Sequence, residues 1–306
     1  MTTTGAAPSG LPSPLDLPSD LAEYRLSGSF QVGGVRIHHL SDGLAFGPRR
    51  SWFTGTEPAE WMPSLGLTDP DTPFPLNFGF FVIETGGTIT LVDSGFGPVA
   101  ATVPGVRGGN EMMQRLSEIG IRPEDVTCIV QSHCHGDHCG QLTTPTPSGP
   151  VPTFPNATVH VHQAEFDYWT GPATDGNPMA AKTRERLQTI AAAGRLSTFD
   201  TITSIGPGVV ALPMPGHTPG HTCVLVSDQG SSCLLVGDLA HHPVHFENHG
   251  WFHELEGDRA RSVASRAALA EMAIGLDAVV TAPHMPILTL GKLHRDEAGH
   301  VRWSAV

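Results

Sequence analysis

A chain of 306 residues can bury one large core or two small ones. Its 17 Lys and Arg against 30 Asp and Glu leave a formal charge of −13 with no basic stripe, which argues against a nucleic-acid ligand. With 35 Gly, 27 Pro and only 15% charged residues, many short strands and turns are expected instead of long helices.

Residues 1–27 are rich in Thr, Ser, Pro and Gly and lack the basic start and apolar run of a secretory signal. They read as a tail, flexible or packed on a partner subunit, ahead of a single catalytic domain over 28–306. No segment approaches the roughly 18 apolar residues that a membrane span requires. The five cysteines, at 128, 134, 139, 223 and 233, are odd in number and form no CxxC pair, as expected of idle thiols in a reducing compartment. A cytoplasmic protein is the expectation.

Residues 30–40 alternate weakly around Gly33-Gly34, like a hairpin. Residues 49–75 show no period but carry Trp52, Phe53, Trp61, Met62 and Phe74, an aromatic loop of a length that is more often functional than accidental. Strands are expected at 77–84 and 88–93, joined by Thr85-Gly86-Gly87. A helix over 111–119 presents Met112, Leu116 and Ile119 on one face and stops at Gly120. Further strands are expected at 127–131, 158–162, 209–212, 222–226, 233–236 and 278–281, with helices at 163–169, 179–193 and 258–274. The last helix carries an apolar stripe at 263, 267, 270 and 274, read as its core face. Residues 143–155 read as Pro-rich loop. This succession predicts an α+β fold of stacked sheets with helices outside.

The chemistry lies in the loops. His133, His135, Asp137 and His138 fall within six residues directly after the strand at 127–131, and His217, Asp238 and His284 each follow an apolar segment of their own. Alternate residues of an extended chain point the same way, so His133, His135 and Asp137 can converge. His138 can serve a neighbouring ion if the chain turns at Gly136. Imidazole with carboxylate suits zinc, iron, manganese or cobalt better than calcium or magnesium. Cys134 lies between two of these histidines, where its side chain should project away from theirs.

These motifs resemble those of the metallo-β-lactamase superfamily over nearly all of residues 30–290. They run in order: Asp93 in VDSGFG, HxHxDH at 133–138, His217 in PGHTPGH, Asp238 in LLVGDLAHHP and His284 in TAPHMP. The resemblance implies a four-layer αβ/βα sandwich with two divalent metal ions, zinc first among the candidates, at one edge. It places His133, His135 and His217 on one ion, Asp137, His138 and His284 on the other, and Asp238 between them. It makes Asp93 a group that orients a ligand; a plain Asp capping a turn would look the same in sequence. A hydroxide held between two such ions can attack a carbonyl or phosphoryl centre, with Asp137 passing its proton to the leaving group.

Departures from related patterns narrow the reaction. Asp238 stands where true β-lactamases carry Cys or Ser, His135 stands where flavodiiron proteins carry Glu, and the acidic balance does not suit an RNA-processing nuclease. The C-terminal tail, residues 290–306, is short and only modestly basic, unlike the glutathione-binding part of thioesterases of glyoxalase II type. What remains looks most like the quorum-quenching N-acyl-homoserine lactonases and their relatives that hydrolyse aryl phosphotriesters such as methyl parathion. These relatives often pair as homodimers, and their substrates are small and apolar. Many lactonases carry a tyrosine three residues after the bridging aspartate. This chain has His241 there, which either donates the same hydrogen bond to substrate or is a bystander. His242, His245, His249 and His253 read as bland.

An apolar pocket is expected from Trp52, Phe53, Trp61, Phe74, Phe78, Phe246, Trp251 and Phe252, some of which must instead pack the core. The competing reading is a mono-iron persulfide dioxygenase, whose family shares the seven residues. Neither a Gly-rich phosphate loop nor a Gly-x-Ser-x-Gly elbow is present.

Overall fold

The computed structural model describes residues 25–102 and 105–306. Most of the expected tail, 1–24, therefore lies outside the described residues. Two large sheets follow in chain order, beside a two-stranded pair, Thr143–Thr144 with Val151–Pro152, in the stretch expected as Pro-rich loop. The first contains β1 (Ser27–Val32), β2 (Val35–Pro48), β3 (Pro73–Thr85), β4 (Thr88–Val92), β5 (Val106–Gly108), β6 (Cys128–Val130), β7 (Thr158–His162) and β8 (Leu196–Phe199). Its order is β1-β2-β3-β4-β6-β7-β8, with β5 added to β2. The second contains β9 (Thr203–Gly206), β10 (Val209–Pro213), β11 (Thr222–Asp228), β12 (Ser231–Leu235), β13 (Val279–Thr281), β14 (Gly291–Arg295) and β15 (Val301–Ala305), paired in sequence order. Hairpin neighbours are antiparallel. The pairs β4–β6, β6–β7, β7–β8 and β12–β13, which need crossovers, are parallel.

The period of two along each strand divides the core. On one face of the first sheet Ile37, Phe81, Ile83, Val92 and Val130 meet Val209, Ala211, Val224, Val226 and Leu235 of the second. On its other face Phe80, Val82, Leu91 and Ile129 meet Met112 and Leu116 of α1 (Met112–Glu118), Trp169 of α2 (Gln163–Thr170), and Leu187 and Ile190 of α3 (Pro178–Ala192). Leu212, Leu234 and Val280 of the second sheet carry Leu269, Ala270 and Ala273 of α4 (Arg259–Gly275). Helix, sheet, sheet, helix: this is the four-layer αβ/βα sandwich expected of the chain. Each fully buried Leu, Ile or Phe adds about 1.5–3 kcal/mol of transfer free energy.

Three expectations need correction. The buried face of α4 is Ser262, Ser265, Arg266, Leu269, Ala270 and Ala273, whereas Val263 is 36% exposed. Of the apolar stripe at 263, 267, 270 and 274, Ala270 is buried and Ile274 is partly buried against the core, whereas 263 and 267 face outward, so the stripe is rotated away from the centre of the true face. Polar residues win it because they bond the loops that α4 covers. Ser265 Oγ donates to Pro215 O at 2.7 Å, and Arg266 donates to Leu239 O at 2.7 Å and His249 O at 3.0 Å. Residues 290–306 are no tail but β14 and β15, with Trp303 stacked on Phe246 at 5.6 Å. Finally, β2 and β3 extend to Pro48 and Pro73, so the loop between them is shorter than expected and contains short helical turns such as Pro58–Trp61.

The Arg266–Glu256 pair, at 3.2 Å with both side chains fully buried, carries a stability prediction. Arg266→Ala takes the cation from the buried Glu256 carboxylate, leaving it the Ser262 hydroxyl, and removes the donor from three loop carbonyls, those of Leu239, His249 and Trp251. It is expected to cost about 3–5 kcal/mol in denaturant unfolding. A loss under about 1 kcal/mol, the range of exposed pairs, would refute that role.

Candidate metal centre

Every predicted ligand sits on a loop leaving the same edge of the sandwich. β6 ends in Val130, and residues 131–135 lead from it to one helical turn, Gly136–Cys139, that reverses the chain. That turn sends Asp137 and His138 to a different side from His133 and His135. His217 precedes β11, Asp238 follows β12 and His284 follows β13.

The donor atoms form two groups. In the first, His133 Nε2 is 2.9 Å from His135 Nδ1, His217 Nε2 is 3.1 Å from that same Nδ1, and Asp238 Oδ2 is 3.3 Å from His217 Nε2 and 3.7 Å from His133 Nε2. In the second, His138 Nε2 and His284 Nε2 are 3.2 Å apart, Asp137 Oδ2 is 3.7 and 3.6 Å from them, and Asp238 Oδ1 is 3.3 and 3.1 Å from them. Asp238 thus turns one oxygen to each group.

The donor set fits two cations. A tetrahedral ion with bonds of about 2.0–2.1 Å separates its ligand atoms by about 3.3 Å, in the middle of the observed spacings. The tautomers agree. His138 Nδ1 donates to Asp93 Oδ2 at 2.8 Å, His284 Nδ1 donates to Asn77 O at 2.6 Å, and His133 Nδ1 donates to Ser132 Oγ at 3.1 Å. Each therefore turns an Nε2 lone pair inward, and lone pairs about 3 Å apart repel unless a cation lies between them. Asp238 Oδ1 is buried with no hydrogen-bond partner of its own. Asp93, at φ 67°, also accepts Ser132 N at 2.7 Å and the Ser132 hydroxyl at 2.8 Å, so it holds His138 directly and, through Ser132, His133.

The pattern of the Metallo-beta-lactamase superfamily matches residues 80–283, two thirds of the sequence. The chain belongs to that superfamily. It is 30% identical over 190 residues to a probable metallo-hydrolase of Mycobacterium tuberculosis, an alignment covering 53% of this chain and 56%, little more than half, of the relative. It is 29% identical over 237 residues to the N-acyl homoserine lactonase AttM of Rhizobium radiobacter, covering 71% of this chain and 84% of that one. Among solved structures, the dizinc quorum-quenching lactonase AidC superposes with a TM-score of 0.78 at 22% identity, over 92% of this chain and 98% of that one. The hydrolase AbOPH of the β-lactamase superfamily superposes with a TM-score of 0.76 at 25% identity, over 92% of this chain and 97% of that one.

Within this superfamily centre, electrostatics follow from burial and the carboxylates. Burial holds the His133 and His217 imidazoles well below their ordinary pKa, so both are neutral ligands at physiological pH. Burial acts on His138 and His284 too, but the Asp238 and Asp137 carboxylates outweigh it and lift both.

His241 is brought to the centre. Its Nε2 is 3.2 Å from Asp238 Oδ2, and its ring lies parallel to His284 at 5.2 Å and to His253 at 4.3 Å. His245 Nδ1 accepts His241 N at 3.1 Å and its Nε2 donates to Trp52 O at 3.1 Å. His245 and His253, passed over in the sequence, are thus the packing that orients His241. Cys134, as expected, turns away into the core under α2 and α3.

The predicted aromatic lining divides. Trp52 lies 6.1 Å from His241 and Phe78 lies 6.3 Å from His284. Phe53 stacks on Trp61 at 4.8 Å with Trp251 edge-on, a core cluster away from the ligands, and Phe246 packs under α4. Phe252 lies beneath the guanidinium groups of Arg259 and Arg266. The side chain of Phe74 lies outside the described residues. Sequence reasoning missed Phe96, 4.9 Å from Phe78, and Trp169, 5.6 Å from His135. It also passed over Asn77, whose Nδ2 donates to Pro283 O at 2.7 Å and Met285 O at 3.3 Å and so clamps the chain on both sides of His284. His221 was visible in PGHTPGH, but its task was not: its Nε2 accepts the backbone N–H of Asp238 at 3.0 Å. Gly237, at φ 54°, is required there because a Cβ would stand 2.7 Å from His221 Nε2.

Proposed function

We propose that this protein is a metal-dependent hydrolase that opens lactones, with related esters as further substrates. The observation carrying the reading is Asp238, one oxygen toward each of two histidine groups, with His241 and an apolar wall beside it. Two divalent cations held by these residues, zinc first by donor chemistry, would supply an activated water and a Lewis acid for a substrate oxygen.

The remaining work belongs to the chain. Asp137, with 22% side-chain exposure, has one oxygen directed at the second group and is placed to take the water proton and deliver it to the leaving alkoxide. His241, its ring fixed between two others, donates a hydrogen bond toward the carbonyl oxygen as charge develops on it. Phe78 and Phe96, with Met179 57% exposed close by Gly136, offer an acyl chain or aromatic group an apolar wall. The likeness to AttM supports this substrate class. Among the described residues no helix is long and apolar enough to cross a membrane.

The test is proton release in a pH-stat from metal-loaded protein given acyl-homoserine and other lactones, aryl esters and an aryl phosphotriester. Lactone opening abolished by chelation supports the reading. Turnover of the phosphotriester alone moves the assignment to that chemistry. Silence across the panel, with iron near one per chain and persulfide-dependent oxygen uptake, overturns it in favour of the dioxygenase.

A further inference from the structure

Glu165 belongs to no ligand set and is 1% exposed. It is the third residue of α2, directly after β7, and its carboxylate collects three N–H donors from three segments. Oε1 accepts Cys134 N at 2.9 Å and Trp169 Nε1 at 2.6 Å, and Oε2 accepts Gly220 N at 3.0 Å. Cys134 is the residue between His133 and His135. Gly220 lies between His217 and His221.

These two loops come from different sheets, one after β6 and the other before β11. Their approach to α2 is close: a Cβ on Gly220 would stand 2.4 Å from the backbone nitrogen of Glu165. The third donor, the Trp169 indole, stands nearly perpendicular to the His135 ring, at 80°. The second histidine group has separate supports, Asp93 behind His138 and Asn77 around His284.

We propose that Glu165 is the positioning residue for the first metal site, holding the His133–His135 loop and the His217 loop in one register across the two halves of the sandwich. The proposal rests on the two-ion reading above. Its consequence is asymmetry: loosening Glu165 weakens the site of His133, His135 and His217 and leaves the site of Asp137, His138 and His284 intact.

The test is cobalt titration of the metal-free full chain, followed by visible absorption and by competition with a chromophoric chelator. His217→Ala and His284→Ala, each lacking a ligand of one site, assign the two sets of bands. Glu165→Gln keeps the shape but turns an amide N–H₂ toward one of the three donors. The expected result is a first-site affinity lower by roughly 10–100-fold, with altered first-site bands and unchanged second-site bands. Should Glu165→Gln not fold, Trp169→Phe, which removes one donor to the carboxylate, carries the same comparison. Equal weakening of both sites, or of neither, overturns the proposal. Uptake of a single ion by the unaltered chain overturns the two-ion reading instead. The proposal then stands if Glu165→Gln alters that ion's bands and affinity, and falls if it does not.

Discussion

Asp238→Ala is expected to disable both halves of the centre at once. Each oxygen lies within 3.3 Å of a ligand nitrogen of its own group, so removal of the carboxylate takes one donor from each ion together with the buried negative charge that favours cations there. The neighbouring histidines show how strong that field is, since His138 and His284 sit above their ordinary pKa despite complete burial. Metal assistance is worth several kcal/mol in a transition state, so turnover should fall on the order of 10³-fold or more. Metal content after dialysis should fall below two ions per chain. Full turnover with two retained ions would exclude the shared role of Asp238.

His241→Phe should separate binding from chemistry. The ring is stacked on both faces by His253 and His284, and phenylalanine preserves that packing while removing the nitrogen near Asp238. Both ions should remain, and kcat on the best lactone should fall roughly 10²-fold, the scale set by loss of one hydrogen bond to a developing oxyanion. Two other results are decisive. Unchanged kcat and KM would make His241 a packing residue. Loss of an ion would make it a ligand, which its grouping with Asp238 and His284 allows geometrically.

The split between sequence and tertiary structure runs along the range of the interactions. Strand periodicity placed most of the sheets, because alternation on a pleated segment is local. HxHxDH, and the histidines and aspartate after three later strands, already named the seven donors that the structure gathers, because donor chemistry belongs to residue type. Periodicity misjudged α4, whose buried face joins Leu269, Ala270 and Ala273 to Ser265 and Arg266, polar residues drawn in by carbonyls of distant loops. It failed too for β14 and β15, which exist by pairing with each other and with β13.

What the sequence by itself determined is therefore the inventory: a metal-binding chain of the α+β class with seven donors in order. Only the tertiary structure decided how those donors divide. It turned Asp238 toward both groups, chose Nδ1 of His135 against Nε2 of the other histidines, and placed Asn77 around His284 across 207 positions of chain. It also joined Glu165 to two loops whose contact residues lie 31 and 55 positions away. The physical reason is that ligand identity is covalent and local. Ligand orientation is set by buried hydrogen bonds between segments that meet only when the two sheets close on one another.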